Sequence, residues 1–382
     1  MTAISILARD DFQKLLDVLL DESYQVMAPV LADNAVVYDQ VTRVDEMPAG
    51  WTDTQEGGKY QLHKSDNDTP TLFGYTASPQ SWKRFLHPPQ VKLWQALRSN
   101  GTFEMTPEVI ESQKYAFIGV RACELHAIAI QDRVFLESGF VDPHYRANRE
   151  NLFIVAVNCG HAGRTCFCTS MGTGPKAESG FDLALTEVIE AEQHYFVVET
   201  GSEKGDAVLQ KLPHRAATES EIAAAEYIIR ETAQNMGRHV DTAGIKELLY
   251  RNYEHARWEI VAERCLSCGN CTMVCPTCFC TTVEDVTDLS GTQAQRNRFW
   301  DSCFTMDFSY IHGGSVRNST KSRYRQWITH KLATWQDQFD CSGCVGCGRC
   351  ITWCPVGIDI TQEVAAIRAS DRAPVKEEIH EI

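Results

Sequence analysis

The pattern of apolar and polar positions divides the chain into two regions of different character. Before about residue 243, short continuous apolar runs alternate with stretches in which apolar residues recur every three or four positions. The continuous runs at residues 115–123 (YAFIGVRAC) and 151–159 (NLFIVAVNC) are rich in Ile and Val and indicate buried strands. The periodic stretches predict helices over residues 9–22, 106–113, 124–136 and 218–237. This alternation predicts an N-terminal α/β domain at residues 1–243.

Residues 244–382 are predicted to form a second, mainly helical domain, so the fold class expected overall is α+β. A periodic stretch over residues 245–265 predicts a helix that leads into this domain. Residues 276–343, called the insert below, separate the two cysteine runs described next. Within the insert, residues 296–335 combine helical periodicity with the breaker pair Gly313-Gly314, which predicts helix, turn, helix.

Composition and charge argue against several classes of protein. The 382 residues are 43% hydrophobic and 23% charged, which is ordinary for globular domains. A net charge of −15 argues against a nucleic-acid-binding protein, because a phosphate-binding face usually makes a domain basic. The first twenty residues carry acids where a signal peptide needs a basic region, and no apolar run approaches the ~18 residues of a membrane span. We therefore expect a cytoplasmic protein that binds neither nucleic acid nor membrane.

The cysteines are numerous and unevenly placed. There are 16, none precedes Cys123, and most lie between Cys265 and Cys354. In a reducing compartment, clustered cysteines are more often metal ligands or redox centres than disulfides, and a chain of this length needs no disulfides for stability. The distribution therefore indicates metal or cluster chemistry in the C-terminal region.

One cysteine spacing occurs twice. CLSCGNCTMVCP and CVGCGRCITWCP both read C-x2-C-x2-C-x3-C-P, the ferredoxin pattern that binds [4Fe-4S] clusters. We call residues 265–275 the first ferredoxin loop and residues 344–354 the second. The fourth cysteine of each run is expected to bind the other cluster. The predicted ligand sets are therefore Cys265, Cys268, Cys271 and Cys354 for one cluster, and Cys344, Cys347, Cys350 and Cys275 for the other.

A zinc ribbon is the alternative interpretation of these runs. It also uses C-x2-C pairs, but it needs only two pairs for each ion. The doubled four-cysteine run with its two prolines favours iron-sulfur clusters.

Eight cysteines remain, in two groups that each contain a Cys-Phe-Cys triplet. The N-terminal set is Cys123, Cys159, Cys166 and Cys168, and the outer set is Cys278, Cys280, Cys303 and Cys341. Neighbours spaced as Cys-x-Cys point to opposite faces of an extended segment, so both reach one centre only from a turn or an irregular loop. Each set predicts a further [4Fe-4S] cluster, which gives up to four in total. Zinc in one set, or buried free thiols, are the alternatives left open.

The sequence contains no familiar nucleotide-binding or catalytic motif. The glycine-rich MGTGP at residues 171–175 lacks the third glycine and the downstream acid of a dinucleotide fingerprint, and there is no P-loop or Ser/His/Asp pattern. No catalytic residue is predicted, and we expect an electron-transfer protein without an active site of its own.

The insert carries a basic segment within an acidic protein. Its cations are Arg317, Lys321, Arg323, Arg325 and Lys331. They are interpreted either as a solvated helix face or as charges that offset the thiolate-ligated clusters and tune their reduction potentials.

Taken together, these motifs resemble a known family. The run CLSCGNCTMVCPTCFC, the later FWDSCF and HGGSVRNSTKSRYRQWITHK, and the N-terminal FIGVRACELHAI and NCGHAGRTCFCTSMGTGP carry the resemblance over roughly residues 70–365. They are similar to the iron-sulfur β subunits of cytosolic four-subunit [NiFe] hydrogenases of the sulfhydrogenase type, and to the iron-sulfur subunit of anaerobic sulfite reductase.

The resemblance implies an electron-transfer subunit beside a flavoprotein subunit that binds FAD and NAD(P). If the hydrogenase resemblance holds, the other partners are a small iron-sulfur subunit and the [NiFe] large subunit. If the sulfite reductase resemblance holds, electrons pass to a sirohaem subunit. A third hypothesis, a free ferredoxin-like carrier or redox sensor, is disfavoured because diffusion requires no N-terminal domain of this size.

Overall fold

The computed structural model describes residues 4–66, 69–76, 78–99, 101–190 and 193–371. Helices and strands occur on both sides of residue 244. The helices are α1 (Phe12–Asp21), α2 (Lys83–Leu86), α3 (Ala122–Phe135), α4 (Pro143–Glu150), α5 (Glu203–Leu209), α6 (Glu219–Gln234), α7 (Ile245–Arg251), α8 (Arg257–Arg264), α9 (Asn270–Met273), α10 (Thr320–Thr329), α11 (Trp335–Phe339), α12 (Arg349–Thr352) and α13 (Ile360–Ala369). The strands are β1 (Ser5–Ala8), β2 (Gln25–Ala32), β3 (Ala35–Gln40), β4 (Trp51–Glu56), β5 (Lys59–Lys64), β6 (Gln90–Ser99), β7 (Thr102–Pro107), β8 (Tyr115–Val120), β9 (Phe153–Val157), β10 (Leu183–Glu190), β11 (Gln193–Thr200), β12 (His214–Ala216), β13 (Thr281–Thr287), β14 (Gln293–Trp300), β15 (Tyr310–Ile311) and β16 (Gly314–Ser315).

The N-terminal region is built on an eight-stranded mixed sheet of order β12-β1-β11-β10-β9-β8-β2-β3. The central strands β10, β9, β8 and β2 run parallel to their neighbours within that group. Every residue of β9 is buried, as expected for a strand covered on both faces. The two predicted buried strands are thus confirmed as neighbours, and their carboxyl ends lie at the same edge of the sheet.

Helices pack on both faces of this sheet. Phe12 and Leu15 of α1 lie in the same buried cluster as Phe153 of β9, whereas Leu125 of α3 clusters with Phe117 of β8. The helices predicted around residues 9–22, 124–136 and 218–237 are confirmed as α1, α3 and α6. The mixed α/β character expected of this region is confirmed with them.

The helix predicted over residues 106–113 is wrong. Strand β7 ends at Pro107, and residues 108–114 have no regular element. The apolar side chains of this stretch, Val109 and Ile110, are exposed, so a helix here would have no buried face to stabilise it.

A second core surrounds Trp258, Tyr324 and Ile328 of the C-terminal region, and it also contains Phe167 and Val240 from before residue 244. The predicted entry helix is present in two parts, α7 and α8. At the break, the Asn252 side-chain amide donates to Leu248 O, and the backbone carbonyl of Asn252 accepts from Trp258 Nε1 at 2.9 Å. These hydrogen bonds stabilise the turn between the two helices.

The insert differs from the predicted helix, turn, helix. Its second helix is confirmed as α10, which continues through a π-helical turn at His330–Thr334 into α11. Residues 296–300, where the first helix was predicted to begin, instead belong to β14, which forms a hairpin with β13. Gly313-Gly314 lies in the small hairpin β15–β16. Because strands occur beside the helices, the expectation of a mainly helical C-terminal domain is not confirmed.

A second sheet joins the two regions. Its order is β13-β14-β6-β7, so the hairpin from the insert pairs with a hairpin from the N-terminal region. In the described part of the chain, none of the helices is both long and apolar enough to cross a bilayer.

Candidate metal centres

The thiols predicted for the first cluster surround one cavity. Its lining includes Cys265, Cys268, Cys271 and Cys354, together with Cys350. Backbone N–H groups face two of these sulfurs, Ser267 N at 3.4 Å from Cys265 Sγ and Ile358 N at 3.3 Å from Cys354 Sγ. Hydrogen bonds of this kind to ligand sulfurs tune iron-sulfur clusters. The fourth cysteine of the second loop therefore lies beside the first three of the first loop.

The complementary set is deeply buried. Cys275, Cys344 and Cys347 are each less than one-tenth exposed. Burial raises the pKa of the Cys350 thiol, and the neighbouring thiolates of Cys344, Cys347 and Cys275 raise it further. The four residues predicted for the second cluster are thus electrostatic neighbours in the fold.

The N-terminal set also converges on a cavity. Cys123, Cys159, Cys166 and Cys168 line this cavity with His161 and Cys347. Cys123 lies in the first turn of α3 after β8, and Cys159 follows β9, so the parallel strands bring both to one sheet edge. Cys166 and Cys168 come from an irregular loop around the buried Phe167, which is the geometry that a Cys-x-Cys pair needs.

The outer set is brought together in part. Asp301 N donates to Cys280 O at 2.8 Å, which holds the start of β13 beside the residues that follow β14. Burial, followed by the nearby Cys280, raises the pKa of Cys303 to about 12. Cys278 lies against Cys275. The contacts described for Cys341 are with the Arg133 guanidinium and the Trp335 indole, so its place in this set stays a prediction.

Thiols that line a cavity have the arrangement that a [4Fe-4S] cubane needs. Among the described residues, no group of three or more His, Cys, Asp or Glu side chains is close enough to hold one metal ion. In a cubane each thiolate binds a different iron, so the sulfurs stand around a cavity instead of one point. Burial raises the pKa of both Cys166 and Cys344 to about 12, so binding iron to these thiols would release protons.

Two buried lysines flank the thiols and have no carboxylate among their described hydrogen-bond partners. Lys331 Nζ lies 3.2 Å from Cys275 Sγ, 3.0 Å from Thr277 Oγ1 and 2.9 Å from Gly343 O. Lys83 Nζ donates to Cys278 O at 3.1 Å and lies 3.8 Å from the centre of the Trp300 ring. Both residues are 4% exposed. Buried ammonium groups need compensating negative charge, which a thiolate-ligated cluster supplies.

The second ferredoxin loop packs directly on the loop that carries Cys166 and Cys168. Phe167 N donates to Gly346 O at 2.8 Å. Gly346 has φ +64°, and a Cβ placed there would lie 2.6 Å from Phe167 O and 2.7 Å from Cys168 N. Only glycine combines this backbone conformation with so close an approach. The cavity of the N-terminal set and the second ferredoxin loop are therefore in contact.

Sequence reasoning missed several charged residues around these centres. Arg349 and Glu124 form an ion pair in which both side chains are 1% exposed, and Arg349 Nε also donates to Ser78 O at 2.6 Å. Arg349 could have been singled out, because it lies inside the second ferredoxin run. Lys83 carries no sequence signal, because its partners come from the insert.

Two comparisons relate the chain to known proteins. Residues 264–358 match the family model described as a 4Fe-4S dicluster domain. The chain is 29% identical over 329 residues to sulfhydrogenase 2 subunit beta of Pyrococcus furiosus, an alignment that covers 85% of this chain and 94% of that protein. The predicted resemblance to a sulfhydrogenase β subunit is confirmed, as is the presence of a [4Fe-4S] dicluster domain.

Proposed function

We propose that this chain is the electron-transfer subunit of a hydrogenase complex. It carries electrons between a flavoprotein subunit that binds FAD and NAD(P)H and a [NiFe] module made of a small iron-sulfur subunit and a large subunit. The observation that carries the proposal is the contact between successive thiol sets. Cys347 of the second ferredoxin loop also lines the N-terminal cavity, and Cys275 lies against Cys278.

The ligand sets proposed for the ferredoxin pair are the two crossed sets given above. When bound, an iron-sulfur cluster takes up and releases one electron at a time. The chain holds the ligand sulfurs in buried loops, donates N–H groups to Cys265 and Cys354, and brings neighbouring sets into contact. Close approach of successive centres is what electron transfer through a protein requires.

Two further clusters, in the N-terminal and outer sets, are part of the proposal. The convergence of Cys123, Cys159, Cys166 and Cys168 on one cavity supports the first of them. The buried, carboxylate-free contacts of Lys83 beside Cys278 support the second. We also propose the division of the chain into residues 1–243 and 244–382.

Recovery of the native complex tests the function. The tagged full-length chain is purified anaerobically from its own organism, and the co-eluting subunits are identified by mass spectrometry. We expect a flavoprotein and both [NiFe] hydrogenase subunits. A sirohaem subunit in their place would favour the anaerobic sulfite reductase alternative, and a chain that elutes alone would favour a free carrier.

A spectroscopic measurement on the same preparation tests electron transfer. NAD(P)H should reduce the clusters of the complex, as seen by electron paramagnetic resonance, but should not reduce those of the isolated chain. Reduction of the isolated chain at a comparable rate would contradict the assignment of a non-catalytic subunit.

A further inference from the structure

Lys331 is held rigidly beside one predicted cluster ligand. Its three described hydrogen bonds, to Cys275 Sγ, Thr277 Oγ1 and Gly343 O, use the three protons of an ammonium group. The residue lies in the π-helical turn between α10 and α11, and its side chain is buried. The partners are a thiol, a hydroxyl and a carbonyl, so no carboxylate among them neutralises the charge.

The other strongly buried cation near this loop is neutralised. Arg349 precedes Cys350 and forms an ion pair with Glu124. Lys331 therefore places a positive charge without a carboxylate partner directly against Cys275, a ligand of this cluster. Lys83 is a second buried positive charge near Cys278 and Cys275, and its partners are a carbonyl and an indole ring.

A fixed positive charge at this position acts differently on the two redox states. Reduction of a cluster adds one electron and one negative charge, while no bond at Lys331 forms or breaks and no proton moves there. A cation attracts the reduced state more strongly because that state is more negative. Burial makes the difference large, because the surroundings screen the charge poorly. Net charge and hydrogen bonds to the sulfurs are the terms by which a protein sets a cluster's potential.

We propose that Lys331 raises the reduction potential of the [4Fe-4S] cluster bound by Cys275, Cys344, Cys347 and Cys350, and so makes it a site where an electron is held between transfers. This inference rests on the cluster assignment of the proposed function. It goes beyond that function because it assigns the reduction potential of one of the proposed clusters to one side chain. Lys331 acts through Cys275 and is a positioning and tuning residue, not a catalytic one.

Redox titration of the full-length protein tests this role. The wild type and the variants Lys331→Met, Lys331→Gln and Lys331→Arg are purified anaerobically, and their iron content is measured. Lys321→Met is the matched control, because Lys321 lies on α10, is more exposed and pairs with Glu259 at 3.0 Å. The midpoint potentials are then followed by electron paramagnetic resonance as the solution is reduced stepwise.

In both neutral variants, we expect the midpoint of one cluster to fall by at least 59 mV, a tenfold change in the equilibrium of a one-electron couple. The clusters of the first ferredoxin loop and of the N-terminal set should keep their midpoints, whereas the outer set can shift by a smaller amount because Lys331 also acts on Cys278. The Lys321 control should match the wild type, and Lys331→Arg, which keeps the charge, should have a midpoint close to that of the wild type. The glutamine variant keeps a hydrogen-bond donor without the charge, so it separates the two contributions.

Unchanged midpoints in neutral variants that retain their iron would overturn the proposal. Loss of iron from both neutral variants would also overturn it, because the role of Lys331 would then be structural. If the wild-type protein itself binds no iron-sulfur cluster, the proposed function fails first, and iron analysis of the wild type distinguishes that result.

Discussion

Replacing Gly346 by Ala tests whether the second ferredoxin loop and the N-terminal set are built as one unit. The new Cβ would lie 2.6 Å from Phe167 O, whereas real Cβ contacts essentially never fall below 3.0 Å, so the two loops must move apart by at least 0.4 Å. Cys168 N and Cα are 2.7 Å away, so the movement falls on a predicted ligand. We therefore expect the variant to disturb the N-terminal centre, although the substitution lies in the ferredoxin loop.

The size of the effect has two parts. The left-handed conformation costs a non-glycine residue about 1–2 kcal/mol, and overpacking adds about 1–3 kcal/mol. Gly291→Ala is the matched control, because Gly291 has φ +65° and nothing lies within 4 Å of a Cβ placed there. The control should therefore lose only the conformational part, about 1–2 kcal/mol, and Gly346→Ala about 2–5 kcal/mol.

Urea unfolding of the anaerobically purified holoprotein, followed by circular dichroism, measures the difference in unfolding free energy. Iron content and the spectrum of the reduced protein show whether a cluster is altered. Equal destabilisation in the two variants, with unchanged iron in both, would refute the close packing of the two loops.

Three further predictions concern the ligand sets and a buried charge pair. Cys354→Ser should alter the cluster of the first ferredoxin loop, and a spectrum in which only the second-loop cluster changes would count against crossed ligation. The wild type should contain about 16 irons per chain if all four sets bind clusters, against about 8 for the ferredoxin pair alone. If the Cys341→Ser protein keeps all its iron and its spectrum, Cys341 is not a ligand. Arg349→Met should cost about 3–5 kcal/mol in urea unfolding because it leaves Glu124 as an unpaired buried charge. At the exposed ion pair of Arg296, the same substitution should cost no more than about 1 kcal/mol.

Features encoded by neighbouring residues could be predicted from the sequence. The apolar runs of β8 and β9 indicate buried strands wherever they occur, and the periodicity of α3 defines a helix without reference to the rest of the chain. The thiols could be grouped because ligand spacing is local and the Cys-Phe-Cys triplet occurs twice.

Features that depend on distant partners could not be predicted. Residues 296–300 of β14 were expected to be helical, but their conformation is fixed by pairing with β6, far away in the chain. Lys83 is unremarkable in sequence and becomes informative only when the fold buries it against Cys278 and Trp300. The charge around the centres is therefore a property of tertiary structure, whereas the thiol sets are largely a property of sequence.

The four-stranded sheet shared between the two regions limits how this protein can be divided by evolution or by engineering. A gene fusion that transplanted only the ferredoxin half would carry the β13–β14 hairpin without β6, leaving one edge of β14 unpaired beside the exposed Val283 and Val286. Open, apolar strand edges promote self-association, so such a transplant would tend to aggregate. The two halves are therefore expected to be inherited together, and a working exchange between relatives would have to move both hairpins at once.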